Sequence, residues 1–359
     1  MGRKGTTKNR GRKDIFDRFY TQPTEAARLV RHLITSLWGS PLYNDSNESF
    51  DNPSLLALIP EDTVFVEPSA GDGAFVKALE DIGVPSDRIV AADIAPSEHR
   101  LCRTPIIACD YLDTGGAAVS AAETTIGNSG DADNSDQTTM KRFEDIVRNK
   151  FVGRELDPAS TVIIGNPPFG EQGALCLSFL YRSFSLANTV AFILPPSFAK
   201  ESLKRRVGRS IIAEYDIVDD SYRVHNDMRV VPSSFFIYDA TKPYRPRASR
   251  ISELPFIFLR NGSNDLPAAD FTIRRVGGSA GHASIDMEVS TQSNYFCRVK
   301  RDEMNDPIIP VDALIGRINA LDFPMRDKTV GPRSLSRDEI AWTFMDNYGD
   351  TDETQNTVN

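Results

Sequence analysis

Apolar residues between positions 60 and 240 form short continuous runs, separated by stretches with helical spacing. Because a buried strand shows an unbroken apolar run and an amphipathic helix repeats every three to four residues, the pattern predicts alternating strands and helices. We place the strands at residues 63–67, 88–93, 106–110, 161–165, 189–194, 214–218 and 230–238. The helices are expected at residues 16–38, 73–82, 141–150, 171–186 and 197–209.

This alternation predicts the fold class. Strands and helices that alternate at this spacing favour an α/β domain with a parallel sheet and helices on both faces. The run TVIIG at residues 161–165 is apolar, as expected for a strand that is buried on both sides. The sequence therefore predicts a Rossmann-like, seven-stranded sheet.

The alternation covers residues 16–240 and stops outside this range. Residues 1–15 are expected to form a flexible basic arm, because six Lys or Arg and no acidic residue lie between positions 3 and 13. Residues 113–141 carry few large apolar side chains, which predicts a disordered insertion. Residues 241–359 contain short strand-like pieces, a glycine-rich turn and late helices. We expect a smaller C-terminal region there, a candidate for target recognition, which ends in an acidic tail.

Composition places the chain among globular proteins. Its 359 residues are 40% hydrophobic and 25% charged, close to the averages for that class. No apolar run approaches the roughly 20 residues of a membrane-spanning helix, and the N-terminus lacks the apolar stretch of a secretory signal. We therefore expect an intracellular protein, in the cytoplasm or with the nucleoid or nucleus, without a membrane partner.

Cysteine and histidine usage disfavours a metal site. The four cysteines form no CxxC pair, and the four histidines form no HExxH motif. These are the spacings that most often indicate zinc. We expect free thiols in a reducing compartment and no bound metal.

Charge bears on the choice of partner. The net charge is -9, from 41 basic and 50 acidic residues, which argues mildly against nucleic acid. The segments at residues 200–209 and 242–250 are nevertheless basic. Because the local field matters more than the net charge, a basic surface for nucleic acid stays open.

A glycine-containing turn follows the first predicted strand, in the segment FVEPSAGDGAF at residues 65–75. Gly71 and Gly73 allow positive φ and a close approach of a ligand to the backbone. The spacing is neither GxGxxG nor GK[ST], so a nucleotide triphosphate is unsupported. Glu67 and Asp72 suit an amine or a cation, such as those of S-adenosylmethionine. The alternative is a tight strand-to-helix turn without a ligand.

Two more carboxylates come at the ends of predicted strands. Asp93 lies 20 residues beyond Gly73, at the distance where an acidic residue accepts from ribose hydroxyls in related sheets. Asp110 closes the next strand and is a candidate acceptor for an adenine amine, with Tyr111 or Leu112 packing on the ring. A surface position or a helix cap is the alternative for each acid.

The segment VIIGNPPFG at residues 162–170 is the most informative. The two prolines stiffen the turn after the strand and remove two amide donors. Asn166 offers an amide oxygen and Pro167 a free carbonyl, and two converging acceptors are what a planar amino group needs. Phe169 could stack on the base that carries the amine. The alternative is a rigid proline turn, with Phe169 in the core.

These segments together resemble a known family. The chain is similar to class I S-adenosylmethionine-dependent methyltransferases, and most to those that modify N6 of adenine in DNA. The matching segments in this sequence are DRFYTQP (17–23), EPSAGDGAF (67–75), ADI (92–94), CDYL (109–112), NPPF (166–169), FILPPSF (192–198) and VVPSSFFIYD (230–239).

The resemblance implies roles for particular residues. Asn166, Pro167, Pro168 and Phe169 would be catalytic and hold the target base. The residues expected at the cofactor are Tyr20, Thr21, Glu67, Ser69, Gly71, Gly73, Asp93, Ile94, Asp110, Tyr111 and Asn166. Tyr20 and Thr21 would hold its methionine moiety, Asp93 its ribose and Asp110 its adenine. DNA is the favoured partner and RNA the alternative.

Other functions stay open. The same chemistry could act on adenine N6 or guanine N2 in RNA, or on a glutamine side chain of a protein. A subunit that binds the cofactor without chemistry would not need to retain NPPF. A basic-armed binding protein on a dehydrogenase-like scaffold is disfavoured because GxGxxG is absent.

Three polar segments have no assigned role. Basic residues 200–209 either track phosphates or form a solvated helix face. The segment FTIRRVGGSAGHA at residues 271–283 either grips a phosphate or is an ordinary hairpin turn. Residues 221–229, which include His225, are expected to contact the nucleotide or to form a simple loop.

Overall fold

The computed structural model describes residues 19–39, 52–113, 142–151, 153, 155–217, 222–224, 227–229, 231–260, 262, 266–329 and 331–349. The expected basic arm, nearly all of the insertion, most of the acidic tail and His225 lie outside the described residues. The chain divides into a first unit, Met1–Leu194 with Val207–Tyr244, and a second unit, Pro195–Arg206 with Arg245–Asn359.

The first unit is α/β, as expected. Its strands are β1 (Tyr20–Thr21), β2 (Val64–Glu67), β3 (Ile89–Asp93), β4 (Ile106–Ala108), β5 (Thr161–Gly165), β6 (Thr189–Leu194), β7 (Arg209–Asp216), β8 (Tyr222–Val224), β9 (Asp227–Arg229) and β10 (Ser234–Pro243). Its helices are α1 (Pro23–Trp38), α2 (Asn52–Leu58), α3 (Ala74–Ile82), α4 (Phe143–Lys150) and α5 (Ala174–Phe184). Within the described residues, seven of the strands form one sheet in the order β4-β3-β2-β5-β6-β10-β7.

The sheet is mixed rather than wholly parallel. The five strands from β4 to β6 pair in parallel. By contrast, β10 pairs antiparallel with both β6 and β7. The expectation of a parallel sheet throughout was therefore wrong for β10, which runs opposite to the other six strands of the sheet, because an apolar run shows burial and not strand direction.

Several helix boundaries differ from the prediction. The first helix begins at Pro23, not at residue 16, because proline suits the first helical turn and the two preceding residues are extended. The expected helix at 171–186 consists of a 3-10 turn, Glu171–Gly173, followed by α5. Gly173 lies between them with φ 76, a conformation that favours glycine. The helix α2 was missed because its Asn-Pro pair also indicates a turn.

The core of the first unit forms between the sheet and its helices. Helix α1 buries Ala26, Leu29, Val30, Leu33 and Ile34, which recur at the spacing of one helix face. These residues share a hydrophobic cluster with side chains of α3 and of the sheet. This packing fixes the ends of the strands, where the candidate site lies.

A small second sheet connects distant parts of the first unit. Strand β1 pairs antiparallel with β8, which pairs with β9. Phe19, just before β1, packs edge-on against the ring of Tyr222 at 6.2 Å, and the Tyr222 hydroxyl is hydrogen-bonded to Ser233. Residues 19–21 are thus held from both sides.

The second unit has its own sheet and core. Strands β11 (Phe256–Phe258), β12 (Phe271–Arg274), β13 (Ala283–Ser284) and β14 (Asn294–Val299) pair antiparallel in the order β11-β14-β12-β13. Helices α7 (Val311–Asn319) and α8 (Arg337–Tyr348) contribute Leu314, Ile318 and Ile340 to its core. The expected helix at 197–209 consists of a 3-10 turn, Pro196–Ala199, and helix α6, Glu201–Val207. No helix within the described residues is long and apolar enough to cross a membrane.

Candidate functional site

A cavity of about 620 Å³ in the first unit brings the predicted site residues together. It opens where β2, β3, β4 and β5 end, at the edge of the sheet where open α/β folds bind ligands. Its walls come from residues 19–21, 67–72, 74–75, 93–94, 109–112, 166–171, 175 and 179. Of the residues that the family resemblance assigns to the cofactor or the target base, all but Gly73 line this cavity.

Two buried polar atoms at the cavity have no hydrogen-bond partner. They are Oε2 of Glu67, a residue that is 2% exposed, and Oγ of Ser69. Burial and the negative charges of Asp72 and Asp93 raise the pKa of Glu67 well above its usual range. Because an unsatisfied buried carboxyl oxygen is costly, these atoms suit a ligand that donates hydrogen bonds.

Two glycines form the turn between β2 and α3. Gly71 has φ 56, and a β-carbon there would lie 3.0 Å from Cε1 of Tyr20, so Tyr20 can approach the turn only over glycine. Gly73 has φ 87, and a β-carbon there would lie 2.5 Å from Sγ of Cys102. Gly73 therefore shapes the turn from behind the cavity rather than lining it.

Asp93 stabilises the glycine turn. Its Oδ2 accepts from the Gly71 amide at 2.8 Å, and its Oδ1 accepts from the Ala95 amide at 2.8 Å. Each carboxylate oxygen can accept a second hydrogen bond, so the predicted role at a ribose remains compatible with these contacts. The side chain has a structural task that the sequence did not indicate.

Two neighbouring residues after β4, Asp110 and Tyr111, lie in different environments. Asp110 lines the cavity, and its Oδ1 accepts from the Leu112 amide at 2.9 Å. The Tyr111 ring is buried against Phe179, with a centroid distance of 5.4 Å, and its hydroxyl is bonded to Ser183. Leu112 is therefore the better candidate of the two to pack on a ligand ring, whereas the Tyr111 side chain belongs to the core.

The side chain of Asn166 is held in one orientation. Its Nδ2 donates to the Phe19 carbonyl at 2.8 Å and to Oγ1 of Thr21 at 3.2 Å. Both amide hydrogens are thereby used, which leaves Oδ1 as the acceptor for a ligand. Thr21, expected at the cofactor, thus also positions the side chain that the sequence made central.

Aromatic residues form one wall beside Asn166. The rings of Phe19 and Phe169 are stacked, with centroids 6.4 Å apart and planes inclined by 28°. Both rings line the cavity. A planar ring that enters beside Phe169 would meet an aromatic surface formed by two stacked rings.

The charged side chains that line the cavity are all acidic. Carboxylates come from five residues, namely Glu67, Asp72, Asp93, Asp110 and Glu171, and none of the lining residues is Lys, Arg or His. Such a cavity disfavours a phosphorylated ligand and favours a cationic or amine-bearing one. Among the described residues, no group of His, Cys, Asp and Glu could hold a metal ion.

Sequence reasoning missed several lining residues. Phe19 supplies a carbonyl to Asn166 and a ring to Phe169, and its position next to Tyr20 was the only signal. Leu175 and Phe179 reach the cavity from α5, where a helical apolar pattern gives no sign of a ligand.

Several solved structures align with part of this chain. A candidate RNA methyltransferase from Pyrococcus horikoshii aligns over 62% of this chain and 88% of its own, at 14% identity and a TM-score of 0.33. The methyltransferase subunit of a type I restriction-modification system from Streptococcus thermophilus aligns over 63% of this chain and 45% of its own, at 12% identity and a TM-score of 0.32. A modification subunit of a candidate type I restriction enzyme from Vibrio vulnificus YJ016 aligns over 80% and 64%, at 13% identity and a TM-score of 0.31.

No protein-family profile and no curated protein matches the chain. Structural similarities of the size given above do not transfer a function from one protein to another. The chemistry is therefore judged from the residues of the cavity.

Proposed function

We propose that this protein transfers a methyl group from S-adenosylmethionine to the exocyclic N6 amine of adenine in nucleic acid, with DNA as the favoured substrate. The fixed orientation of Asn166 carries the proposal. Its amide hydrogens are bonded to Phe19 and Thr21, so its oxygen is the group left to hold an incoming amine. The series of segments that resembles N6-adenine methyltransferases supports the same reaction.

The cavity suits S-adenosylmethionine. Glu67 and Ser69 present unpartnered buried oxygens to an amine-bearing ligand, and Gly71 with Tyr20 forms a wall that a larger residue would disrupt. Asp93 and Asp110 are the candidate acceptors for ribose hydroxyls and for the adenine amine. When bound, S-adenosylmethionine supplies an electrophilic methyl group on a sulfonium and brings no phosphate into this acidic cavity.

The residues after β5 would activate the target amine. Oδ1 of Asn166 and the Pro167 carbonyl would each accept one of its hydrogens, which increases electron density on the nitrogen. Such acceptors act most strongly where charge develops in the transition state. The proton that the nitrogen loses after methylation can pass to water, so no strong base is required.

The target base would stack on Phe169. A base inside a duplex cannot reach a cavity of this kind, so it must leave the helical stack first. Stacking on an aromatic ring offsets part of that cost. The support that Phe19 gives to Phe169 fits this role.

The direct test is incubation of the protein with labelled S-adenosylmethionine and duplex DNA, single-stranded DNA, RNA or protein. Digestion then identifies the labelled nucleoside or amino acid. We expect N6-methyladenine from DNA. Label in RNA would change the substrate to an RNA base, label in glutamine would change the substrate class, and no label in any substrate would refute the proposed transfer.

We predict that Glu67 links cofactor binding to a proton. A cationic ligand favours the ionised carboxylate, so binding should lower the raised pKa of Glu67 and release a proton. The affinity of the wild type should therefore rise with pH between the pKa values of the bound and free forms, about tenfold for each unit that separates them. Glu67→Gln should remove this dependence.

Calorimetry in two buffers with different ionisation enthalpies measures the released proton. Glu171→Gln, which removes an exposed carboxylate of the same cavity, is the matched control and should keep the proton release. Because the folded pKa of Glu67 is raised, the unliganded wild type should also lose stability as the pH rises from the usual carboxyl range towards that value. Equal proton release by the wild type and Glu67→Gln would exclude Glu67 as its source.

A further inference from the structure

Three basic residues of the second unit, from segments that are far apart in sequence, contact or belong to the short segment of residues 334–337. We call Lys200, Arg275 and Arg337 the cationic cluster. Lys200 begins the basic segment at residues 200–209, and Arg275 belongs to the segment at residues 271–283, both of which the sequence left without a role. Arg337 is the first residue of α8.

The cationic cluster is organised around one aromatic ring and one short backbone segment. The guanidinium carbons of Arg275 and Arg337 each lie 5.3 Å from the centroid of the Tyr295 ring. The Arg275 carbonyl accepts from the Leu335 amide at 2.9 Å, and the Tyr295 hydroxyl donates to the Leu335 carbonyl at 3.1 Å. These hydrogen bonds hold the Tyr295 ring and the Arg275 backbone beside Leu335, and Nη2 of Arg337 donates to the Leu259 carbonyl at 3.4 Å.

Lys200 contacts the same short backbone segment, at Ser334. Its Nζ donates to the carbonyl of Ser334 at 2.7 Å and contacts Oγ of Ser334 at 3.1 Å. The Lys200 side chain is only 13% exposed, and burial lowers its pKa. All three residues of the cluster therefore contact or belong to residues 334–337, Arg275 through its backbone carbonyl and Lys200 through its ammonium.

The positive charge of the cationic cluster is only partly balanced, because the carboxylate of Glu339 pairs with Lys200. Glu339 lies 3.8 Å from Nζ of Lys200, but its Oε2 also accepts from the Ser336 amide in the capping box of α8. Within the described part of the chain, neither Arg275 nor Arg337 forms an ion pair with a carboxylate. Nε of Arg275 is buried and has no acceptor. Because burying an unpaired charge is costly, this arrangement indicates an anionic ligand.

We infer that the cationic cluster binds a phosphate group in the backbone of the nucleic-acid substrate, an assignment of partner that rests on the proposed function. A guanidinium presents paired donors that match the oxygens of a phosphate. Both guanidinium groups lie 5.3 Å from the centre of one ring, and donors held at that spacing suit the oxygens of an anion. The contact is independent of sequence and positions the nucleic acid on the protein.

The test compares two double variants. Arg275→Gln/Arg337→Gln removes two cations from the cluster. Arg247→Gln/Arg301→Gln removes two cations of the same unit that are already ion-paired, with Asp346 at 2.6 Å and Asp270 at 3.2 Å. The net charge changes equally in both double variants, so any difference in their nucleic-acid binding is due to the cationic cluster. Thermal unfolding and S-adenosylmethionine affinity confirm that each variant is folded.

Binding of labelled duplex DNA and of RNA is measured by fluorescence anisotropy over a range of salt concentrations. For duplex DNA, each phosphate that a protein neutralises contributes about 0.9 to the slope of log affinity against log salt. We expect the cluster variant to lose about one such contribution or more, whereas the control variant keeps the wild-type slope. Arg275→Lys/Arg337→Lys should retain most of the slope, because charge governs it.

The outcomes separate this inference from the proposed reaction. Methyl transfer with an unchanged salt slope in the cluster variant would overturn the phosphate site alone. A reduced slope without methyl transfer by the wild type would overturn the reaction alone. Loss of inorganic phosphate binding in the variant, with nucleic-acid binding intact, would show that the cluster takes a free phosphate and would overturn the nucleic-acid assignment.

Discussion

Replacing Asn166 with alanine should reduce methyl transfer by about 10²–10³-fold, the cost of removing one donor or acceptor that acts on developing charge. The affinity for S-adenosylmethionine should change little, because the lost interaction acts on the amine and mainly in the transition state. Single-turnover methyl transfer together with calorimetric cofactor binding separates the two effects. Full activity of Asn166→Ala on every substrate would refute the amine-activation mechanism.

Variants of Thr21 test how Asn166 is held. Thr21→Val keeps the shape of the side chain but removes the acceptor at 3.2 Å, while the Phe19 carbonyl still holds Asn166 at 2.8 Å. We expect a smaller loss of rate than for Asn166→Ala, and recovery in Thr21→Ser, which keeps the hydroxyl. If Thr21→Val loses cofactor affinity and retains its rate, Thr21 serves the cofactor alone.

Replacing Phe169 with alanine should weaken capture of the flipped base, because stacking on an aromatic ring contributes about 1–3 kcal/mol per base. The loss should be largest on duplex substrate and smaller on single-stranded or mismatched substrate, where less energy is needed to expose the base. Phe169→Trp keeps a stacking face and should remain measurably active. The measurement is single-turnover methyl transfer by both variants on matched oligonucleotides.

Phe169 also packs against Phe19 and the core, so its removal could lower stability. Thermal unfolding and cofactor affinity of Phe169→Ala control for this effect. An equal loss of rate on duplex and single-stranded substrate, in a folded protein, would argue that Phe169 has only a structural role.

The sequence allowed the cavity to be predicted because its residues follow strands. Glu67, Asp93, Asp110 and Asn166 each come at or just after the carboxyl end of a short apolar run. In parallel strands these ends meet at one edge of the sheet, so separate motifs could be assigned to one place. The strand at 161–165 has the predicted bounds, and the helix expected at 73–82 begins one residue later, at Ala74.

Other features depend on tertiary packing that an apolar pattern does not encode. The reversed direction of β10 is decided by pairing with its neighbours and not by its composition. The hydrogen bonds from Asn166 to residues 19–21 span about 145 positions of the chain, and no local pattern indicates them. For the same reason, the contact of Lys200 with Ser334 and the approach of Arg275 and Arg337 to the Tyr295 ring could not be foreseen.

The compact units also differ from the boundary expected after residue 240. The division falls at Tyr244 and Arg245, and residues Pro195–Arg206 group with the second unit. A segment from the middle of the alternation thus groups with a different unit from its sequence neighbours. A change in composition along the sequence does not show which unit a segment belongs to.

The way Asn166 is anchored has a consequence for which bases the cavity can accept. With both amide hydrogens bound to residues 19–21, the side chain cannot rotate to offer a donor without losing those bonds. A keto oxygen, as in thymine or uracil, would face the Asn166 oxygen directly and be repelled. The amines of adenine and cytosine would be drawn in. If the protein acts as proposed, discrimination between amino and keto bases would therefore be set by Phe19 and Thr21, which fix the orientation of the asparagine before any base is contacted.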